Sequence, residues 1–188
     1  MVGLLAGLGR LNPQRQPVYA ICSADVLLIR GTPLLVKLFL LFFDLPQFGI
    51  VLPAFVCGVL GLGLYAGAYV SEIVRGAIQS IDRGQALAAQ SLGMTPRQVI
   101  RNEVLPRALV RMIPPLGNEF IALLKNSALV SLLTIPDLMH EGQKIIAVSY
   151  RSLEVYLAVA FVYLVLTGST AWALQRIEHR LGASRRLG

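Results

Sequence analysis

The chain has 188 residues, of which 55% are hydrophobic and only 14% are charged, and its mean hydropathy is +0.67. Soluble domains carry about 25% charged residues, so this composition disfavours a water-soluble fold. The net charge of +7 does not indicate nucleic-acid binding, because the sequence has no zinc-finger spacing and no basic patch with interleaved aromatic residues. No metal site is predicted either.

Apolar stretches alternate with short polar segments along the chain, which predicts an all-α protein that crosses a membrane several times. Residues 1–11 are apolar but only about half as long as the roughly 20 residues that span a bilayer, so we interpret them as part of a truncated first helix. A second apolar stretch covers residues 26–43 and is interrupted at residues 30–33. A turn at residues 44–48 leads to the clearest span, residues 49–70, which holds no charge.

The second half of the chain repeats this alternation. Residues 71–111 are amphipathic and rich in arginine, and a fourth apolar stretch follows at residues 113–135. A polar loop is predicted at residues 136–152 and a fifth span at residues 153–174, before a basic tail. The pattern predicts a single domain that covers the whole chain, 1–188, with about five spanning helices of which the first is truncated.

The distribution of basic residues predicts the orientation in the membrane. Six arginines lie in residues 71–111 and more basic residues follow the fifth span, whereas the turn at residues 44–48 has none. Basic residues gather on the cytoplasmic side of membrane proteins. We therefore expect the loop between helices 3 and 4 and the C-terminus in the cytoplasm, and the N-terminus outside.

The central loop carries the strongest signal, in residues 84–106 (GQALAAQSLGMTPRQVIRNEVLP). Residues 86–89 favour a helix, and Gly93 is placed to end it. Thr95 can cap a second helix whose first residue is Pro96. The loop is predicted to form a short helix, a glycine turn and a second short helix, on which another protein can dock closely.

This stretch resembles the cytoplasmic coupling loop of binding-protein-dependent ATP-binding-cassette (ABC) permeases. Their pattern is Glu-Ala-Ala, three residues, Gly, nine residues, Ile, one residue and Leu-Pro. The chain departs from it at Leu87, in the Glu position, and at Glu103, in the Ile position. The resemblance implies that the residues that couple the chain to the ATPase are Gly84, Leu87, Ala88, Ala89, Gly93, Leu105 and Pro106.

Four further segments resemble permeases for polar amino acids such as histidine, arginine, glutamine and glutamate: RGTPLL (30–35), EIVRG (72–76), PPLGNEF (114–120) and LLKNS (123–127). This resemblance implies a location in the cell inner membrane, surrounded by membrane lipid. It also implies ABC ATPase subunits, a second permease subunit (in a homodimer or a heterodimer), and a periplasmic or lipid-anchored solute-binding protein as partners. ATP would bind to the ATPase, because this sequence has no Gly-x-x-x-x-Gly-Lys-Ser/Thr loop; we expect neither a cofactor nor catalysis here.

Ionisable groups inside a membrane span are costly and usually face a cavity. The fourth apolar stretch holds two, Glu119 and Lys125, and Glu119 would suit the ammonium group of an amino acid. Prolines and a glycine earlier in this stretch predict an irregular helix, as in many transport sites. Alternatively, the two groups pair within the protein or lie near an interface. The candidate substrate-lining residues are Asn118, Glu119, Lys125, Asn126 and Ser127.

Other residues and functions stay open. Arg30 could line a cavity or, as we favour, anchor its helix at the interface, and His140 is expected to be solvated. A membrane-embedded enzyme would need a nucleophile with a base, or paired carboxylates, yet Glu119 is the only acid clearly within a span. A scaffold that docks a cytoplasmic partner without moving solute would have a similar central loop but would not need the polar breaks in the fourth span.

Overall fold

The structure is a computed structural model that describes residues 26–183, so the truncated helix predicted at residues 1–11 lies outside the described residues. Residues 26–31 are helical, and we number the helices that follow in chain order. They are α1 (Leu34–Phe39), α2 (Ala54–Gln79), α3 (Arg83–Ser91), α4 (Pro96–Val99), α5 (Leu105–Asn126), α6 (Leu138–Ser149) and α7 (Ser152–Ala183). No strand occurs within residues 26–183, and the all-α prediction is confirmed.

The second apolar stretch breaks where the sequence predicts. Pro33 has no backbone N–H and disfavours helical geometry in the residue before it, so the helix of residues 26–31 ends at Thr32. The ammonium group of Lys37 donates a hydrogen bond to the freed carbonyl oxygen of Thr32, at 2.9 Å. After α1 the chain continues as a π-helical turn, Leu40–Asp44, and a 3-10 turn, Leu45–Phe48.

Two helices are long and apolar enough to cross a membrane. They are α2, with 26 residues, and the 28-residue stretch Ser152–His179 of α7. At 1.5 Å per residue they measure about 39 and 42 Å, more than the roughly 30 Å hydrocarbon layer. The helical segment Pro96–Leu133 and α6, bent by 48°, qualify together as a third candidate among the described residues. The count of about five spanning helices remains a prediction.

The prediction of a polar loop at residues 136–152 is wrong, because most of this segment forms α6. The side chain of Asp137 accepts a hydrogen bond from the backbone N–H of His140 at 2.8 Å and so caps the first turn. Lys144 pairs with Glu141 one turn later, at 2.7 Å. Both contacts join residues that are three positions apart, a spacing typical of a helix. The polar composition of the segment, taken alone, indicates a loop instead.

The helix of the fourth apolar stretch is more regular than the sequence predicts. A π-helical turn, Ile100–Val104, joins α4 to α5 without a break, so the second helix of the central loop is not short. α5 also remains α-helical across Pro114 and Pro115, packed between α2 and α7. The irregular segment comes later, as the 3-10 turn Ser127–Leu133 that ends at Thr134 with φ of 60°.

α5 occupies the centre of the fold. A cluster of buried apolar side chains joins it to the second half of α2 and to Ile81, just after that helix: Val74, Ala77, Ile81, Ala108 and Met112. Gly117 faces α7, because a Cβ atom there would lie 2.2 Å from Leu174 Cδ2. Large apolar side chains of α2 and α7 remain exposed, among them Phe55 and Leu164, as expected of surfaces that face lipid or another subunit.

Candidate functional site: a docking hairpin and a polar cluster

The central loop folds into a helical hairpin whose first helix is capped at both ends. The carboxylate of Asp82 accepts a hydrogen bond from the N–H of Gly84 at 2.8 Å, which caps the start of α3. At the other end Gly93 takes a left-handed conformation with φ of 83°. The N–H of Met94 reaches the carbonyl oxygen of Ala89 at 3.2 Å, which closes a Schellman motif. The predicted helix end at Gly93 is confirmed.

The second helix of the hairpin also begins as the sequence predicts. Thr95 is the N-cap of α4, and Pro96 occupies the first helical position, where its missing N–H leaves no hydrogen bond unmade. The side-chain oxygen of Gln98 accepts a hydrogen bond from the backbone N–H of Thr95 at 2.8 Å. The turn between α3 and α4 therefore has a fixed geometry.

The predicted coupling residues divide into an exposed and a buried group. Gly84, Leu87 and Ala88 are exposed, and their spacing of three and four residues puts them on one face of α3. Leu87 is a large apolar side chain that is 62% exposed among the residues that the structure describes. Ala89 is 6% exposed and packs against the rest of the protein, on the opposite side of α3. The other predicted coupling residues are also exposed: Gly93, Leu105 and Pro106.

Arg107 ties the hairpin to the spanning helix α5. Its guanidinium donates a hydrogen bond to the side chain of Gln85 on α3 and pairs with Glu103 at 2.9 Å. Because α4 continues into α5 without a break, the docking face of α3 is linked to α5 both through the chain and through this side chain. These two connections join α3 to α5.

A polar cluster lies further along α5, between this helix and α2. Tyr65, Tyr69 and Glu72 share one face of α2, at spacings of four and three residues. Arg30 pairs with Glu72 at 3.3 Å, and its guanidinium lies 5.0 Å from the centre of the Tyr69 ring. Arg75 binds the same carboxylate through two hydrogen bonds of 2.8 and 2.9 Å. Arg30 thus belongs to the cluster, and its role as an interfacial anchor stays a prediction.

Glu119 and Asn126 complete the cluster from α5. They are seven residues apart and therefore share a face of the helix, and Tyr65 interacts with both side chains. Arg30 lies close enough to attract the Glu119 carboxylate electrostatically. The Oε1 atom of Glu119 is buried and has no hydrogen-bond partner among the residues that the structure describes. The cluster therefore offers an unused acceptor beside a cation.

The other predicted lining residues lie elsewhere. Asn118 and Lys125, also seven residues apart, are exposed on a neighbouring face of α5. The hydroxyl of Ser127 donates a hydrogen bond to the carbonyl oxygen of Leu124 at 2.7 Å and also interacts with Tyr163 of α7. The structure thus brings Glu119 and Asn126 together and leaves the other three outside the cluster. Whether any of the five contacts substrate stays a prediction.

Sequence reasoning missed the contribution of α2. The tyrosines at positions 65 and 69 and the acid at 72 recur at helical spacing, a signal that an inspection of charges within the fourth span does not reveal. His140, expected to be solvated, is only partly exposed, and its Nδ1 atom is buried without a hydrogen-bond partner among the described residues. Within residues 26–183 no group of three or more His, Cys, Asp or Glu side chains could hold a metal ion.

These features define a class of protein: a helical membrane subunit with an exposed docking hairpin joined to a polar cluster between its helices. Residues 1–183 match the family described as binding-protein-dependent transport system inner membrane component. The glutamine transport system permease protein GlnP of Escherichia coli K12 is 37% identical over 184 residues, which are 96% of this chain and 83% of that protein. The L-cystine transport system permease protein TcyB of Bacillus subtilis is 36% identical over 182 residues, 96% of this chain and 77% of that protein.

Solved structures give the same result. The crystal structure of an amino acid ABC transporter with histidines is similar to this chain with a TM-score of 0.88 and 42% identity, over 95% of this chain and 85% of the other. An inward-facing structure of the methionine ABC transporter MetNI has a TM-score of 0.77 at 22% identity, over 95% and 85% of the two chains, which shows a shared fold.

The chain belongs to the family of binding-protein-dependent transport system inner membrane components, as the resemblance of its central loop predicted. It is a multi-pass permease subunit of an ABC transporter, and ATP hydrolysis belongs to the partner ATPase in this family. ATPase and solute-binding partners are general to the family. Neither a membrane-embedded enzyme nor a scaffold that moves no solute fits this membership.

Proposed function

We propose that this chain carries polar amino acids into the cell as one of two permease subunits, identical or different, of an ATP-driven importer. Its relatives are named for glutamine and cystine, and a similar transporter was solved with histidines. In this assembly a periplasmic or lipid-anchored binding protein delivers the amino acid. ATP binds to the ATPase subunits, so the permease itself needs no cofactor.

The same proposal includes the orientation in the inner membrane, with the N-terminus outside and the C-terminus in the cytoplasm. It rests on the arginines of the hairpin region, two of which, Arg97 and Arg101, are exposed at the end of the molecule that also presents the docking face of α3. Positive charge of this density is typical of cytoplasmic segments. In this orientation the docking face of α3 lies on the cytoplasmic side, where it can bind the ATPase.

The observation that carries the proposal is the buried Oε1 atom of Glu119, which has no partner among the described residues. A buried acceptor without a hydrogen bond costs about 1–3 kcal/mol, and a ligand that donates one recovers this free energy. An amino acid brings an ammonium group that can donate to Glu119 and a carboxylate that Arg30 can bind. Asn126 and Tyr65 remain to hydrogen-bond a polar side chain.

Coupling follows from the connection between the hairpin and this cluster. The ATPase holds α3 through Gly84, Leu87 and Ala88 and displaces it when its nucleotide sites close. Arg107 and the continuous α4–α5 helix pass the displacement to Glu119, about 18 Å further along α5 at 1.5 Å per residue. α5 then shifts against α2, and the cluster changes the side of the membrane to which it opens.

The test is uptake of radiolabelled amino acids by proteoliposomes that contain the assembled transporter, ATP and the binding protein. Glu119→Gln keeps the shape of the side chain and removes its charge, so we expect the KM for uptake to rise about tenfold or more, equivalent to about 1.4 kcal/mol. The control is Glu178→Gln near the end of α7, with unchanged KM. An unchanged KM and rate of uptake in both Glu119→Gln and Glu119→Leu would show that Glu119 does not bind substrate. Absence of amino-acid uptake by the unmodified transporter would refute the proposed function.

A further inference from the structure

An apolar groove of about 410 Å³ lies between α6 and α7, away from the polar cluster. Its walls are formed by Leu138, Ile145, Val155, Ala158, Val159 and Val162. The volume falls within the range of about 300–1,000 Å³ that is typical of ligand pockets. Nothing in the transport mechanism requires this groove.

The groove follows from how α6 and α7 touch. Gly142 allows the closest approach, since a Cβ atom at this position would lie 2.9 Å from Val159 Cγ2. Beside this contact the small side chain of Ala158 leaves space that a larger residue would fill. The groove is therefore a consequence of two small residues, one on each helix.

The position of the groove along α7 suits a lipid headgroup and its acyl chains. Arg151 immediately precedes α7, whose candidate span of 28 residues begins at Ser152. This span is about 12 Å longer than the roughly 30 Å hydrocarbon layer, so in a bilayer centred on it the first turn would lie at the headgroup level. Val162 comes 11 residues after Arg151 and so lies about 16 Å further along the helix, at 1.5 Å per residue. The groove thus runs from the polar interface into the hydrocarbon layer.

Two oppositely charged residues lie at the outer end of the groove, and their side chains have no partner within residues 26–183. Arg151 and Glu154 are among the residues at this end, beside an almost wholly apolar wall, and the side chain of neither forms an ion pair or a hydrogen bond with a residue that the structure describes. The third charged residue there, Glu141, already pairs with Lys144 at 2.7 Å. The outer end therefore presents one cation and one anion above an apolar channel.

We propose that this groove binds a phospholipid whose headgroup carries both a phosphate and a primary ammonium group, that is, phosphatidylethanolamine. The phosphate binds to Arg151, since guanidinium groups favour phosphate oxygens. The ammonium group donates hydrogen bonds to Glu154, which the quaternary amine of phosphatidylcholine cannot do. One acyl chain fills the space beside Ala158.

Native mass spectrometry of the assembled transporter, taken from nanodiscs with equal amounts of phosphatidylethanolamine, phosphatidylcholine and phosphatidylglycerol, tests this proposal. We expect phosphatidylethanolamine to be retained about fivefold or more over each of the others, in keeping with two charge-assisted contacts. Ala158→Phe fills the groove and should abolish this preference. Ala160→Phe, exposed on another face of α7, is the matched control and should keep it.

A second variant, Arg151→Gln with Glu154→Gln, changes only the outer end and should reduce retention of phosphatidylethanolamine to the level of phosphatidylcholine. Equal retention of the three lipids by the unmodified transporter would overturn the proposal, as would an unchanged preference in either groove variant. If Ala158→Phe separates the two permease subunits while the lipid stays bound, the groove belongs to the second permease copy and the lipid proposal fails.

Discussion

Arg111 on α5 donates two hydrogen bonds to Ser80, one to the backbone carbonyl oxygen and one to the hydroxyl, the latter at 2.9 Å. Ser80 is the C-cap of α2, where carbonyl oxygens lack helical donors and a cation is favoured by the helix dipole. The contact holds the end of α2 against α5 at the point from which α3 leaves. It therefore joins α2 to α5 beside the start of the hairpin.

Replacement of Arg111 by Gln should weaken this junction. A hydrogen bond to a charged group contributes about 1.5–3 kcal/mol, and exposure to solvent reduces this to about 1 kcal/mol. We expect a lower thermal unfolding temperature of the purified transporter and less amino acid moved per ATP hydrolysed. Arg101→Gln is the control, because Arg101 is exposed and its side chain has no partner among the described residues. Equal effects of both substitutions would show that only the loss of positive charge matters.

Replacement of Gly93 by Val should uncouple ATP hydrolysis from transport. Gly93 has φ of 83°, and a left-handed conformation costs a residue with a Cβ atom about 1–2 kcal/mol. Nothing lies within 4 Å of the added Cβ atom, so the effect arises from the backbone of the turn and not from a clash. ATPase activity should persist while uptake falls, as measured in the same proteoliposomes.

Gly93→Asn provides the matched control for this prediction, since asparagine tolerates the left-handed region far better than valine. It should keep most of the uptake. Normal coupled uptake by Gly93→Val would show that the geometry of this turn does not control coupling.

The structural features that depend on residues close in sequence could be predicted. Those that depend on packing partners far away in sequence could not. The helix end at Gly93 and the cap at Thr95 follow from backbone preferences of single residues. The clear apolar span of residues 49–70 corresponds to α2, which extends further, to Gln79, because its last turns pack against α5. Local composition does not reveal such a packing partner.

The polar cluster shows the same limit. Glu119 stands out in the sequence as an acid inside a span, so its candidacy could be predicted. Its electrostatic interactions with Arg30 and Tyr65 join residues 89 and 54 positions away, and only the packing of α2 and of the helix at residues 26–31 near α5 brings them together. The uninterrupted α5 across Pro114 and Pro115 was missed for a related reason, because packing on both sides stabilises a helix that local propensity disfavours.

The two polar faces of α5 should differ in their effect on substrate. Asn126 lies on the face of Glu119 and interacts with Tyr65, whereas Asn118 is exposed on the neighbouring face. Asn126→Leu should raise the KM for uptake about tenfold, because loss of a hydrogen bond and an altered cluster together cost about 1.4 kcal/mol. Asn118→Leu makes the same chemical change and should alter KM less than about twofold. A larger effect at Asn118 would place the substrate on the other face.

Gly117 of α5 packs so closely against Leu174 of α7 that a side chain at position 117 has no room. A Cβ atom at position 117 would lie 2.2 to 2.8 Å from three carbon atoms of Leu174, including Cγ, so a rotation of the terminal methyl groups alone cannot relieve the overlap. Gly117→Ala should therefore lower the unfolding temperature of the transporter, with a cost of about 1–3 kcal/mol that is typical of overpacking. Gly168→Ala on α7 is the control, because nothing lies within 4 Å of its added Cβ atom. Leu174→Ala opens the space opposite, so the double variant should recover part of the loss, and an additive loss in the double variant would contradict a direct contact.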